Sequence, residues 1–226
     1  MLNFRFEKRL AKRTGKTVVA MDEAGRGPLA GPVAVGVVLL DEVFYHKIKK
    51  RDKWWRAIDD SKKLNPEIRR KLFAQIKKNL TFGVGLASAE FIDKNGIIKA
   101  TRKAAQRALK VIGIKPQVIL VDGNRKFINL KNCSERAVVQ GDGRIWGIAC
   151  ASIAAKVTRD EYMTKMGKRY PKYQFHRHKG YGTRLHIKLI NEHGPCPLHR
   201  FSFAPVKNHG SQKSSFQSKH GNAGTW

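Results

Sequence analysis

A chain of 226 residues with 46 Lys and Arg against 17 Asp and Glu, a formal net charge of +29 and a pI near 10.5 is matched to a polyanion. No apolar run reaches the roughly 18 residues that span a bilayer. No stretch joins a basic face to a wide apolar one as a membrane-surface helix does, so the expected partner is nucleic acid and no membrane is involved.

Residues 1–16 form a basic segment with Arg5, Lys8, Arg9, Lys12, Arg13 and Lys16, and lack the apolar stretch and cleavage site of a secretory leader. Cys133, Cys150 and Cys196 are odd in number and contain no Cys-x-x-Cys pair, which argues against a disulfide framework or a zinc site. A cytoplasmic protein with reduced thiols, Cys150 in the core, is expected. Thr17–Met21 and Pro32–Leu40 then read as Val-rich strands joined by a long hairpin-like connection. A third strand, Phe82–Ala89, alternates Phe82, Val84 and Leu86 with Gly83, Gly85 and Ala87, as it would if its second face were crowded against a helix. Between the second and third strands lies a Lys-rich stretch with Trp54 and Trp55, followed by a helix over Pro66–Lys78 with Ile68, Leu72 and Ile76 at helical spacing. Ile97–Ile112 is an amphipathic helix stopped by Gly113. Gln117–Val121 reads as a buried parallel strand, Ala137–Val139 as another, and Ile148–Met163 as a closely packed helix rich in Ala and Ile.

Three opening strands followed by alternating helix and strand predict an α/β domain on a mixed sheet. Asp22 and Glu23, Asp122 and Asp142 each fall just past the last apolar residue of a strand candidate, where sites gather in sheets with parallel members. A lone Asp there is commonly a turn residue or a helix cap. Four carboxylates converging in a basic chain are instead a self-repelling cluster that divalent cations neutralise. All-oxygen ligation favours Mg²⁺ or Mn²⁺. Two such ions about 4 Å apart suit in-line phosphoryl displacement.

These residues carry a family resemblance. Asp22-Glu23-Ala24-Gly25-Arg26-Gly27-Pro28-Leu29-Ala30-Gly31-Pro32-Val33 resembles the opening signature of bacterial-type ribonuclease HII, the type 2 ribonuclease H. Asp60-Ser61-Lys62-Lys63-Leu64, Val121-Asp122-Gly123-Asn124, Gly141-Asp142, the run from Ala151 to Asp160, and His178-Lys179-Gly180-Tyr181-Gly182-Thr183 agree in order over roughly residues 17 to 190. The resemblance implies an RNase H-like core over 17–164, a small helical, basic C-terminal subdomain over 165–205, and a tail over 206–226 that is expected to be disordered. It also implies endonucleolytic cleavage of RNA in RNA/DNA hybrids and 5′ to ribonucleotides embedded in duplex DNA, leaving 3′-hydroxyl and 5′-phosphate ends. By the family pattern Asp22, Glu23, Asp122 and Asp142 are the metal-binding catalytic carboxylates of a two-ion site. Gly25, Arg26 and Gly27 read the 2′-hydroxyl, the group that separates RNA from DNA, and Tyr181 stacks at the RNA-to-DNA junction. Ser61, Lys62 and Lys179 join them in substrate binding.

Other readings stay open on the residues alone. Another RNase H-like nuclease shares acidic clusters but not the glycine turn and Tyr181. A non-catalytic nucleic-acid-binding protein explains the charge. A ribonuclease HIII is expected to carry an extra N-terminal domain, for which the residues before the first strand leave no room. Lys165 to Lys188 interleaves basic residues with Tyr170, Tyr173, Phe175 and Tyr181, suited to backbone neutralisation and stacking. Lys156 and Asp160 are read as supporting residues, and His176, His178 and His186 as surface or substrate contacts. Gly143 after Asp142 departs from the family pattern, and Trp146 is placed in the link to the next helix. A monomer is expected.

Overall fold

The computed structural model describes residues 2, 5–15, 17–40, 53–124, 128, 130 and 132–209. β1 (Val18–Ala24) pairs antiparallel with β2 (Val33–Leu40), and β2 antiparallel with β3 (Phe82–Ala87). On its other side β1 runs parallel to β4 (Val118–Asp122), and β4 parallel to β5 (Ser134–Val138), so the sheet order is β3-β2-β1-β4-β5. The helices are α1 (Arg5–Thr14), α2 (Pro66–Asn79), α3 (Ala89–Asn95), α4 (Ile97–Ile112), α5 (Trp146–Arg169), α6 (Phe175–His178) and α7 (Arg184–His193). The chain is thus an α/β protein on a mixed sheet.

Alternation along the strands builds two cores. Val18, Ala20, Val38, Leu40, Val118 and Leu120 face α2 and α5, while Val19, Met21, Val35, Val37, Ile119 and Val121 face α4. With both faces covered, the central strands read as unbroken apolar runs rather than alternating ones. The glycines of β3 behave as the sequence predicts. A Cβ at Gly85 would lie 2.1 Å from the Ala104 carbonyl oxygen, and one at Gly83 2.5 Å from that of Ala108, so α4 rests directly on the strand. On the opposite face a Cβ at Gly36 would lie 2.2 Å from the Ala151 carbonyl, which brings α5 equally close.

Helix ends follow local chemistry. Asn65 accepts the Ile68 amide at 2.8 Å ahead of Pro66, and Gly113 ends α4 at φ +67°. Trp146 is not in a link: it opens α5, is fully buried, and donates its indole N–H to the Trp55 carbonyl at 2.9 Å. α5 also lacks a cap of its own, and Glu7, reaching over from α1 within the basic N-terminal segment, accepts the Gly147 amide at 2.9 Å. A carboxylate at that positive helix end is well placed. Burial nevertheless raises the Glu7 pKa, against backbone hydrogen bonds that hold it down.

The boundary expected at 164/165 falls inside α5, which runs unbroken to Arg169. Met163 packs there with Tyr173, Phe175 and Cys196 of the C-terminal elements. Asp93 of α3 accepts the Phe201 and Ser202 amides at 2.9 and 2.8 Å and fastens the final segment. Val206, assigned from sequence to a disordered tail, is fully buried beside Leu29 and Ile190; positions 210–226 of that tail lie outside the described residues. Cys133, Cys150 and Cys196 are free thiols, with Cys150 fully buried. No helix among the described residues is long and apolar enough to cross a membrane.

The close approach of α4 gives a direct test. Gly85→Ala should destabilise the protein by roughly 1–3 kcal/mol through overpacking and lower its thermal midpoint by several degrees. Gly143→Ala, whose Cβ meets nothing within 4 Å, should leave the midpoint unchanged in the same melting experiment.

Candidate active site

Parallel pairing brings the acids together. Met21 is in register with Val121, so Asp22 and Asp122 follow side by side on adjacent strands. Asp142 arrives from the turn after β5, a short 3-10 helix over Gly141–Gly143. Carboxylate oxygens of Asp22, Asp122 and Asp142 lie within 4.8 Å of one another. The cluster is held by short local bonds. Asp122 Oδ1 accepts the Gly141 amide at 2.6 Å, Asp22 Oδ1 accepts the Glu23 amide at 2.7 Å, and Asp142 Oδ2 accepts from Lys62 Nζ at 3.1 Å.

Glu23 lies outside that group of three, because successive strand residues point to opposite faces. Its Oε1 pairs with Arg26 Nη1 at 3.1 Å, and its Oε2 is buried without a hydrogen-bond partner among the described residues. Burial raises the Asp22 carboxyl pKa well above the usual range, reinforced by the charges of Glu23 and Asp122 and opposed by a hydrogen bond from Ser152. Glu23 is also raised by burial, against the pull of Arg26. Burial pulls Lys62 down, but Asp142, Asp60 and Asp22 outweigh it and hold the ammonium above its ordinary value. Three hard oxygen donors under mutual repulsion, with an orphaned carboxylate oxygen alongside, fit a divalent cation.

The turn after β1 is built from below. Gly25, at φ +89°, has no room for a side chain, since a Cβ would lie 2.0 Å from Arg159 Nε. At Gly27 a Cβ would meet nothing within 4 Å, so this is the glycine with an open face. Two fully buried arginines hold the turn. Arg200 donates to the carbonyls of Gly25, Arg26 and Gly31 at 2.6, 2.8 and 3.0 Å. Arg159 donates to those of Pro32, Lys179 and Ala30 at 2.9, 3.0 and 3.1 Å. Burial lowers both guanidinium pKa values, and for Arg200 the charge of Arg159 adds to it.

Tyr181 stands at the rim of the same region. It is exposed, with Lys156 Nζ 5.1 Å and the Arg159 guanidinium 5.5 Å from its ring centre. The Gly180 carbonyl ahead of it accepts the Leu29 amide at 2.8 Å, joining the tyrosine loop to the glycine turn. Lys179 is turned back, bonded to Thr164 Oγ1 at 3.0 Å and to the His176 carbonyl. Ser61 points inward, its hydroxyl buried against that of Ser152 at 2.9 Å, while Arg69 holds the Ser61 and Leu64 carbonyls and so shapes the turn that presents Lys62. Lys156 and Asp160 pair with each other at 2.8 Å.

His178 and His186 are not surface groups. Both are buried, with rings stacked 4.1 Å apart, and His186 Nδ1 lies 2.9 Å from the Tyr181 carbonyl. Burial pushes His186 down to about 4 and its partner His199 to about 3, which keeps the pair neutral at neutral pH. Sequence reasoning placed His178 and His186 outside because a basic stretch masks the apolar spacing of Tyr173, Phe175 and Ile190. His176 is exposed.

Comparison with known proteins decides the family. The ribonuclease HII family model matches residues 19–206. The chain belongs to the ribonuclease HII family. Ribonuclease HII of Caldicellulosiruptor bescii is 41% identical over 201 residues, covering 88% of this chain and 92% of its own. That of Marinomonas sp. is 44% identical over 194 residues, covering 85% and 92%. The crystal structure of ribonuclease H2 from Pyrococcus horikoshii superposes with a TM-score of 0.68 at 28% identity, over 86% of this chain and 97% of that one. Membership makes the chain a ribonuclease H, an endoribonuclease of RNA/DNA hybrids, on an RNase H-like fold. Within this ribonuclease HII frame the sequence missed Arg159, Arg200, Ser152 and Glu7. Ser152 and Arg159 lie inside the family-like run from Ala151 to Asp160 but carry no signal of their own role, and nothing in the local pattern separates Arg200 from the 45 other Lys and Arg of the chain's 46.

The raised Asp22 carboxyl gives a prediction with a definite sign. A carboxyl whose pKa is higher folded than unfolded destabilises the folded state when ionised, so the metal-free protein gains stability as pH falls through the folded value. Asp22→Asn should therefore raise the thermal midpoint of the metal-free protein at neutral pH. The gain should shrink on acidification; an equal or larger gain at pH 5 would contradict the assignment.

Proposed function

We propose that this chain hydrolyses the RNA strand of RNA/DNA hybrids and nicks duplex DNA on the 5′ side of embedded ribonucleotides, leaving 3′-hydroxyl and 5′-phosphate ends. The observation that carries this reading is the sharing of one strand end by the acidic cluster and the glycine turn. Asp22 and Glu23 lead directly into Gly25-Arg26-Gly27, and Arg26 reaches back to Glu23 at 3.1 Å. A ribose whose 2′-hydroxyl meets the turn has its neighbouring phosphodiester within reach of the carboxylates.

In this reading Asp22, Asp122 and Asp142, with Glu23 through its free oxygen, hold two Mg²⁺ or Mn²⁺ ions. Such ions lower the pKa of bound water and neutralise charge on a departing oxygen. The protein's own part is positioning. The Gly141 amide and Ser152 fix two of the carboxylates. Lys62, bonded to Asp142 at 3.1 Å and largely exposed, is placed to contact a phosphate beside the acids, and Ser61 supports the turn that carries it. Tyr181 offers a face for stacking on the sugar or base at the RNA-to-DNA junction, and Lys179 adds charge to the same rim. The surplus of positive charge binds backbone phosphates without regard to sequence. The protein works as a cytoplasmic monomer on ribonucleotide-containing duplexes and hybrids.

A labelled DNA duplex with one ribonucleotide, incubated with Mg²⁺ or Mn²⁺, should be nicked 5′ to the ribonucleotide, while an all-DNA control stays intact. Asp122→Asn should reduce the rate about a hundred- to a thousandfold yet bind the duplex, the scale of losing one electrostatic anchor of the reaction. Cutting of the all-DNA control would move the reading to another RNase H-like nuclease, and tight binding with no nick under either metal would move it to a binding protein.

Tyr181→Ala should lower kcat/KM at the single-ribonucleotide junction by about tenfold, the scale of one aromatic stacking contact, and Tyr181→Phe should keep most of the activity. Equal loss in both variants would assign the role to the phenol hydroxyl instead.

A further inference from the structure

The two buried arginines have no carboxylate lying against them among the described ion pairs, yet each donates to three main-chain carbonyls. Leaving a buried cation to main-chain oxygens alone is costly, and so many convergent bonds mark a geometry worth holding. The direction of those bonds matters. In a trans peptide unit the carbonyl of one residue and the N–H of the next point opposite ways. Arg200 draws the carbonyls of Gly25 and Arg26 into the protein, so the N–H groups of Arg26 and Gly27 face outward. Neither amide donates to another backbone group among the described residues, and the space over Gly27 is open.

We propose that Arg200 is the positioning residue for ribonucleotide discrimination: by holding two carbonyls inward it aims two adjacent amides outward at the oxygen of a 2′-hydroxyl. Arg159 extends the device. It bonds the far side of the turn at Ala30 and Pro32, and at Lys179 the loop that leads to Tyr181, so the amides and the stacking ring are set by one pair of guanidiniums. Phe203 completes the mount, with its ring centre 5.0 Å from the Arg200 guanidinium carbon. The inference rests on the proposal that the turn reads the 2′-hydroxyl, and it adds what makes the turn able to.

Lysine can satisfy at most part of this arrangement, because it lacks the rigid planar fork. The experiment compares affinities of the full chain, in an Asp122→Asn background that prevents cleavage, for a duplex with one ribonucleotide and for its all-DNA counterpart. The parent should favour the ribonucleotide duplex. Arg200→Lys should cut that ratio roughly tenfold, the worth of two misaimed hydrogen bonds, through weaker binding of the ribonucleotide duplex alone. Affinity for all-DNA duplex and its salt dependence should not change, a pattern that general loosening of the fold does not produce. If Arg200→Lys does not fold, Phe203→Leu, which removes the supporting ring and leaves the carbonyl bonds' donors in place, should lower the ratio about threefold, with Phe203→Tyr restoring it. A parent ratio of one would sink the 2′-hydroxyl reading and this proposal with it. A parent ratio above one that survives in folded Arg200→Lys, or in Phe203→Leu when the lysine variant is unfolded, would overturn the proposal alone.

Discussion

The parallel pairing of β1 with β4 is the constraint on which the site depends. It sets Asp22 beside Asp122 by main-chain hydrogen bonding, so the repulsion between two carboxylates is opposed by the sheet itself rather than by a flexible loop. The sheet can bear this load because its central strands are covered on both faces, by α5, which rests on Gly36 of β2, and by α4, which packs on Val19, Val35 and Ile119. The same rigidity that forces the acids together leaves them unable to separate when no cation is present. The raised Asp22 carboxyl and the Lys62 ammonium bonded to Asp142 are two ways in which the molecule lives with that.

Much of this was legible in the residues. The strands, the crowding of β3 by a helix, the helix stop at Gly113 and the gathering of acids at strand ends all follow from local patterns, because each is written within a few residues. What escaped detection is non-local. Glu7 and the α5 N-terminus are 140 residues apart, and Arg200 and Gly25 are 175 apart. α1 reads in sequence as a basic segment because its buried face, Glu7 and Leu10, holds a carboxylate where periodicity looks for an apolar side chain. α5 extends at both ends beyond the apolar stretch, since Trp146 and the basic last turn are fixed by tertiary packing and not by composition.

Charge gave the most misleading signal as well as the most useful. A surplus of cations identified nucleic acid as the partner, and by the same token concealed which cations work inside. His178, His186, Arg159 and Arg200 look in sequence like further members of a solvated basic surface, yet all four are buried and bonded to main-chain carbonyls. The two glycines of the turn after β1 are not equivalent. The lack of a side chain at Gly25 makes room for Arg159 beneath, and it is Gly27 that faces open space.

α5 works as a ruler. Ser152, which bonds Asp22, and Arg159, which bonds the turn, are seven residues apart, so they lie on one stripe of the helix about 10 Å from each other. Met163, one turn further, fills the space under Gly31. The distance between the acidic cluster and the glycine turn is therefore counted out in helical turns. A single residue inserted between Ser152 and Arg159 would swing everything beyond it through about 100° and uncouple the acidic cluster from the glycine turn.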